Sequence, residues 1–148
     1  MALTKKIFLF LVPLLLVLLF AYTGASKLLG HAKFLAQLEK AGFESTALMV
    51  SYAVPVAELL IAILLCTARF RLTGIYLAAT AMFFFTGYVL FILSRGPLPC
   101  SCGGVLAAMN WKQHLYFNII FLVLSVASLA QHKSYYAYKG VSRKPLTE

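Results

Sequence analysis

The sequence predicts an all-α integral membrane protein: a bundle of four transmembrane helices, with a short amphipathic helix between the first and second spans. Three observations predict it. Hydrophobic residues make up 62% of the chain and charged residues 11%, with a mean hydropathy of +0.90. Ordinary globular domains are about 45–50% apolar and about 25% charged. The apolar residues gather in four runs, each long enough to cross a hydrocarbon core of about 30 Å. The Lys and Arg residues collect mainly at the ends of those runs and between them.

The spans follow in order. Lys5 and Lys6 precede an apolar run from Ile7 to Tyr22, interrupted by Pro13. Such a start also fits a signal peptide, but the run is read as the first span, about residues 7–26. Pro13 is tolerable in a membrane helix, where neighbours re-satisfy the freed carbonyl. From Lys27 to Phe43 the pattern changes: Leu28, Phe34, Leu35 and Leu38 fall at helical spacing among Lys33, Gln37, Glu39 and Lys40. That predicts a short amphipathic helix along the interface. Gly42 is a C′ stop in this reading, with Phe43 packing back on the last turn. The second span covers about 46–66 and holds Pro55 and Glu58; Arg69 and Arg71 follow it. The third covers about 72–93, with Phe83-Phe84-Phe85 near its middle, expected to face lipid or to pack. The fourth covers about 111–130, with Trp111 and Tyr116 suited to an interfacial belt. These spans form one membrane domain over residues 1–130, and 131–148 is expected to be a basic, partly disordered cytoplasmic tail.

The charge balance, +9, is explained by topology and lipid headgroups rather than by nucleic acid. Lys5, Lys6, Arg69, Arg71, Lys133, Lys139, Arg143 and Lys144 share one side of the predicted bundle; Lys27, Lys33, Lys40, Arg95 and Lys112 share the other. The excess of cations marks the first side as cytoplasmic. Both termini are then inside and the loop before the fourth span faces outward, into the periplasm if the host is bacterial and the membrane is the inner one.

That loop, Gly96-Pro97-Leu98-Pro99-Cys100-Ser101-Cys102-Gly103-Gly104, concentrates the reactive chemistry. The prolines fix φ and remove two donors, and the glycines loosen the exit. A disulfide between residues two apart closes a small ring, in which normal Cα separation is hard to reach. Strained, exposed disulfides are the labile ones, so Cys100 and Cys102 read as a redox-active pair. The structural alternatives are a permanent staple, which across one residue restrains almost no loop entropy, or two thiols that never pair. A metal reading lacks a ligand: two cysteines with His114 fall short of a closed zinc site, and no metal is expected. Cys66, near the far end of the second span, reads as a small buried hydrophobe.

Glu58 lies mid-span, where a carboxylate costs at least about 2.5–3.5 kcal/mol. Its expected partner is Lys27 at the end of the first span, ahead of His31. The pair reads either as a proton relay or as a structural polar tie. Tyr52, Thr86, Tyr88 and Asn118 are candidates for hydrogen bonds between helices.

Taken together, these elements resemble the MauE branch of the DoxX-like superfamily of redox-associated four-helix membrane proteins. The resemblance runs from about Ile7 to Ala130. It rests on Gly24-Ala25-Ser26-Lys27-Leu28 with Phe34, Leu38, Gly42 and Phe43; on Val54-Pro55 with Glu58; on Phe85-Thr86-Gly87-Tyr88; and on Pro99-Cys100-Ser101-Cys102-Gly103-Gly104 followed by Trp111, His114-Leu115 and Asn118. Where relatives often carry Cys-x-Cys-Phe-Gly, this chain has Cys-x-Cys-Gly-Gly. The resemblance implies thiol–disulfide traffic, with Cys100 and Cys102 as the reacting residues and Thr86, Trp111, His114 and Asn118 in support. The implied partner is an extracytoplasmic thioredoxin-like protein or a cysteine-containing client. By analogy with bundles that oxidise thiols, the implied electron acceptor is a quinone. The competing reading is a non-catalytic membrane subunit or maturation chaperone that docks a partner. A small transporter with Glu58 on its path is a weaker third, since no internal repeat is visible.

Overall fold

The structure is a computed structural model that describes residues 2–95 and 110–141. Five helices account for it: α1 (Ala2–Leu29), α2 (His31–Lys40), α3 (Ala47–Cys66), α4 (Arg71–Arg95) and α5 (Trp111–Val141). Among the described residues there is no strand. Stretches of α1, α3, α4 and α5 (Ile7–Leu29, Ala47–Cys66, Arg71–Ser94 and Trp111–His132) are long and apolar enough to cross a membrane.

Local chemistry sets the boundaries. α1 runs unbroken through Pro13. At Gly30 the chain turns directly into α2: the Gly30 N–H still reaches Ser26 O at 2.9 Å, while Gly30 O already accepts from Lys33 N–H at 3.0 Å. α2 ends as predicted. Gly42 sits at φ 94, the left-handed conformation that glycine takes without strain. The Gly42 N–H reaches Glu39 O at 3.0 Å and the Phe43 N–H reaches Leu38 O at 3.1 Å, the paired bonds of a Schellman stop. α5 begins with a reciprocal cap. Asn110 Oδ1 accepts from Gln113 N–H at 2.9 Å, and Gln113 Oε1 accepts from Asn110 N–H at 3.0 Å, so two orphan donors of the first turn are satisfied.

Neighbouring spans run antiparallel, with α1 packed chiefly on α3 and α4 on α5. The central core gathers Val12, Leu16 and Phe20 from α1, Ile61 and Leu65 from α3, and Ile75, Ala78 and Met82 from α4; Phe121 and Leu129 of α5 pack against it. Lipid tails are as apolar as leucine, so this association relies on close packing rather than on escape from water. Two glycines make the close approaches. A Cβ on Gly24 would lie 3.1 Å from Pro55 O and 3.2 Å from Glu58 Cβ; one on Gly74 would lie 2.9 Å from the Leu65 backbone nitrogen.

The outside is as apolar as the inside. Phe10, Met49, Ile63, Phe83, Phe84 and Val123 are each at least 60% exposed. Exposed apolar surface on this scale, around helices whose backbone bonds are internally satisfied, suits lipid and not water.

The structure adds detail to two expectations and corrects two. The amphipathic helix expected between the first two spans forms as α2, and its apolar stripe faces the bundle. Phe34, Leu38 and also Gln37 are buried, against α3 and over the end of the bundle, because the stripe at 34, 37, 38 and 41 keeps helical spacing toward that side. Gln37 falls on this stripe and therefore lies inside. α5 itself continues to Val141, past the apolar stretch Trp111–His132 that matches the expected fourth span. Cys66 is exposed, not buried, because it closes α3 on that helix's outer side. Thr86 does not join helices: its hydroxyl donates to Met82 O of its own helix at 2.7 Å.

Candidate functional site

At the α2 end of the bundle the five helices line a partly open cavity of about 220 Å³. Each helix supplies part of its wall. α1 gives Leu19, Thr23 and Lys27; α2 gives Phe34, Gln37 and Leu38; α3 gives Val50, Val54 and Glu58. α4 gives Met82, Phe84, Phe85, Tyr88 and Val89, and α5 gives Trp111, His114, Phe117 and Asn118. Phe43, placed by the Gly42 turn, closes one side with its ring 6.3 Å from Tyr88.

Among the described residues, this wall holds one ion pair. Lys27 Nζ donates to Glu58 Oε1. The Lys27 side chain is 12% exposed and that of Glu58 2%. Gly24 makes the pair geometrically possible: the close contact of α1 and α3 at Gly24 brings Lys27, three residues on, alongside Glu58. The ammonium also lies 5.1 Å from the Phe85 ring centroid and 5.7 Å from that of Phe34, within range of a cation–π interaction. So the aromatic run divides. Phe83 and Phe84 are exposed, while Phe85 packs inward over the cation.

Three polar atoms on this wall are buried without a hydrogen-bond partner: Glu58 Oε2, His114 Nδ1 and Asn118 Nδ2. His114 is set edge-on to Trp111, ring centroids 6.4 Å apart. Orphaned buried polar atoms are costly and rare. Three of them on one cavity wall, beside Thr23, Lys27 and Gln37, make a polar patch in a mainly apolar lining, the pattern of a small-molecule site.

Of the predicted site residues, Lys27, Glu58, Trp111, His114 and Asn118 meet here, and Thr86 stands outside. Cys100 and Cys102, with the whole predicted Cys-x-Cys turn, lie outside the described residues. His31 is not a partner of Glu58. It stacks on Tyr52 at 4.2 Å and bonds Ser51 Oγ at 2.9 Å. Ser51 gives its hydroxyl proton to Leu48 O at 2.7 Å, which leaves His31 Nε2 as the donor. The sequence reading missed Gln37, Phe117 and the Asn110–Gln113 cap. The Asn-x-x-Gln spacing before an apolar run is a capping signature and was legible. Gln37 was legible only as the residue three after Phe34 on the buried stripe.

Four apolar spans wrapped around a buried ion pair and a polar-ended cavity define a small polytopic membrane protein with a ligand-sized interior. Residues 5–131 match the family model described as methylamine utilisation protein MauE. The chain belongs to the MauE family. No curated protein and no solved structure matches it.

Proposed function

We propose that this protein is a membrane thiol–disulfide relay. In this reading Cys100 and Cys102 alternate between dithiol and disulfide, and exchange with an extracytoplasmic thioredoxin-like protein or a cysteine-containing client. In this reading both termini are cytoplasmic and the cysteines lie outside, as the Lys and Arg distribution favours, and the membrane is the inner one if the host is bacterial. The observation that carries the reading is one of connectivity. The segment bearing both cysteines joins α4 to α5, and those two helices contribute Tyr88, Val89, Trp111 and His114 to the cavity wall at that end. Thiolate attack on a partner disulfide passes through a mixed disulfide, and release by the second cysteine leaves the partner reduced and this chain oxidised, or the reverse.

Thiol trapping in native membranes tests it, using a large maleimide in a Cys66→Ala background with and without mild reduction. Labelling of Cys100 and Cys102 only after reduction, with loss of function in either single serine variant, is the expected result. Free labelling under all conditions, with function kept in both serine variants, would sink the relay. The second reading is a docking subunit. It draws on the outward face of α2, where Lys33, Glu39 and Lys40 are exposed beside the same end of the bundle, and it expects the double serine variant to keep its partner.

A further inference from the structure

We infer that the cavity beneath α2 binds the head group of a lipid-borne quinone or quinol, held between Glu58 Oε2, His114 Nδ1 and Asn118 Nδ2. The inference rests on the relay reading for its redox role, but the binding is argued from the cavity alone.

Size comes first. A dry apolar cavity of about 150 Å³ accommodates a benzene ring, so 220 Å³ admits a ring with small substituents. Shape follows from the wall, where Phe34, Phe85, Trp111 and Phe117 present aromatic surface to a flat ligand. Charge is decided by the ion pair. Glu58 already balances Lys27, so an ionic ligand would bring an uncompensated charge into a buried site, and a neutral ligand does not.

Hydrogen bonding then separates the neutral candidates. A bare acyl chain would leave Glu58 Oε2, His114 Nδ1 and Asn118 Nδ2 unsatisfied. Asn118 Nδ2 is a donor and suits a carbonyl. Glu58 Oε2 is an acceptor and suits a hydroxyl. His114 Nδ1 serves either, according to its tautomer. A ring that interconverts carbonyl and hydroxyl oxygens satisfies this set in both of its states. The route in is from the bilayer: Phe84, on the cavity wall, is 68% exposed on the lipid-facing surface. The redox balance closes with this ligand. Two thiols forming a disulfide release two electrons and two protons, and a quinone takes up both and leaves as the quinol.

The test uses the chain's single tryptophan, Trp111, which lines the cavity and reports on a quenching ligand placed there. The full-length protein carrying Cys100→Ser and Cys102→Ser, in lipid nanodiscs, is titrated with decylubiquinone and separately with its quinol. Saturable quenching is expected. Asn118→Leu should weaken quinone binding about tenfold, the size of one buried hydrogen bond, and Val54→Phe, which narrows the cavity from the α3 side, should also weaken it. Glu58→Gln should weaken the quinol more than the quinone. Helicity by circular dichroism confirms that each variant is folded. Quenching that never saturates and is equal in Asn118→Leu and Val54→Phe would overturn the inference, because it reports partition into lipid. Displacement by dodecanol as effective as displacement by a second quinone would also overturn it, because the site would then hold an acyl chain. The assay contains neither Cys100 nor Cys102 as a thiol, so its failure leaves the relay standing, and failure of thiol trapping leaves the binding standing.

Discussion

Replacing Lys27 by Met should unfold this protein far more readily than the loss of a surface ion pair would. Exposed pairs contribute about 0–1 kcal/mol, because water screens both partners. Here the carboxylate is 2% exposed and the ammonium 12%. Removing one partner of a buried pair leaves an uncompensated charge, at a cost of about 3–5 kcal/mol. Two features bear on where in that range Lys27→Met falls. The Phe34 and Phe85 rings, 5.7 and 5.1 Å from Nζ, lose a cation whose desolvated attraction is worth up to about 2 kcal/mol. Against that, Glu58 Oε2 already lacks a partner, so part of the desolvation cost is present in the native protein. An expected loss of about 3 kcal/mol follows. The double variant Lys27→Met with Glu58→Leu removes both charges and should return to within about 1 kcal/mol of the parent, or exceed it, as buried pairs replaced by apolar residues often do. The assay is equilibrium unfolding in mixed micelles with increasing SDS, followed by circular dichroism, over the four members of the cycle. Additive effects, or a Lys27→Met loss below about 1 kcal/mol, would refute the reasoning, since the pair would then behave as solvated.

Two further substitutions probe how the site is assembled. Gly24→Ala places a methyl 3.1 Å from the Pro55 carbonyl and 3.2 Å from Glu58 Cβ. The Leu59 side chain, at 3.0 Å, can turn aside, but the Pro55 carbonyl is backbone, so α1 shifts against α3 by a few tenths of an ångström, at a cost of about 1–3 kcal/mol in the same SDS titration; an unchanged midpoint would mean that the helices do not approach as closely as described. Asn110→Ala removes the acceptor for Gln113 N–H at the start of α5 and should cost about 1 kcal/mol. Hydrogen exchange should show the loss confined to the first turn, and Asn110→Asp, which keeps the acceptor, should restore protection.

Much of this architecture was legible without coordinates because a bilayer imposes its own periodicity. A span must satisfy its backbone internally and must be about 20 apolar residues long, so composition and run length nearly suffice to place Ala47–Cys66 and Trp111–His132. The Glu58–Lys27 pairing was legible for the same reason: a carboxylate in hydrocarbon needs a partner, and few cations were within reach. The inward face of α2 was not legible. An amphipathic stripe reads the same whether its apolar side meets lipid or a neighbouring helix, and only the packing of Phe34, Gln37 and Leu38 over α3 decides between them. Thr86 misled for a related reason, since a threonine hydroxyl in a helix bonds its own chain as readily as a neighbour.

The sequence by itself determined the solvent, the number of spans, the Gly42 stop of α2 and the identity of the buried ion pair. Each follows from local pattern or from the cost of a lone charge in oil, and neither depends on which helices touch. The tertiary structure alone decided that Lys27, Glu58, His114 and Asn118 converge on one cavity. These residues come from three helices, and their meeting depends on the antiparallel pairing of the spans and on the close contact at Gly24. Helix rotation about its axis sets which polar atoms face inward. In a membrane, where the outside is as apolar as the core, hydrophobic patterning does not fix that rotation; packing does.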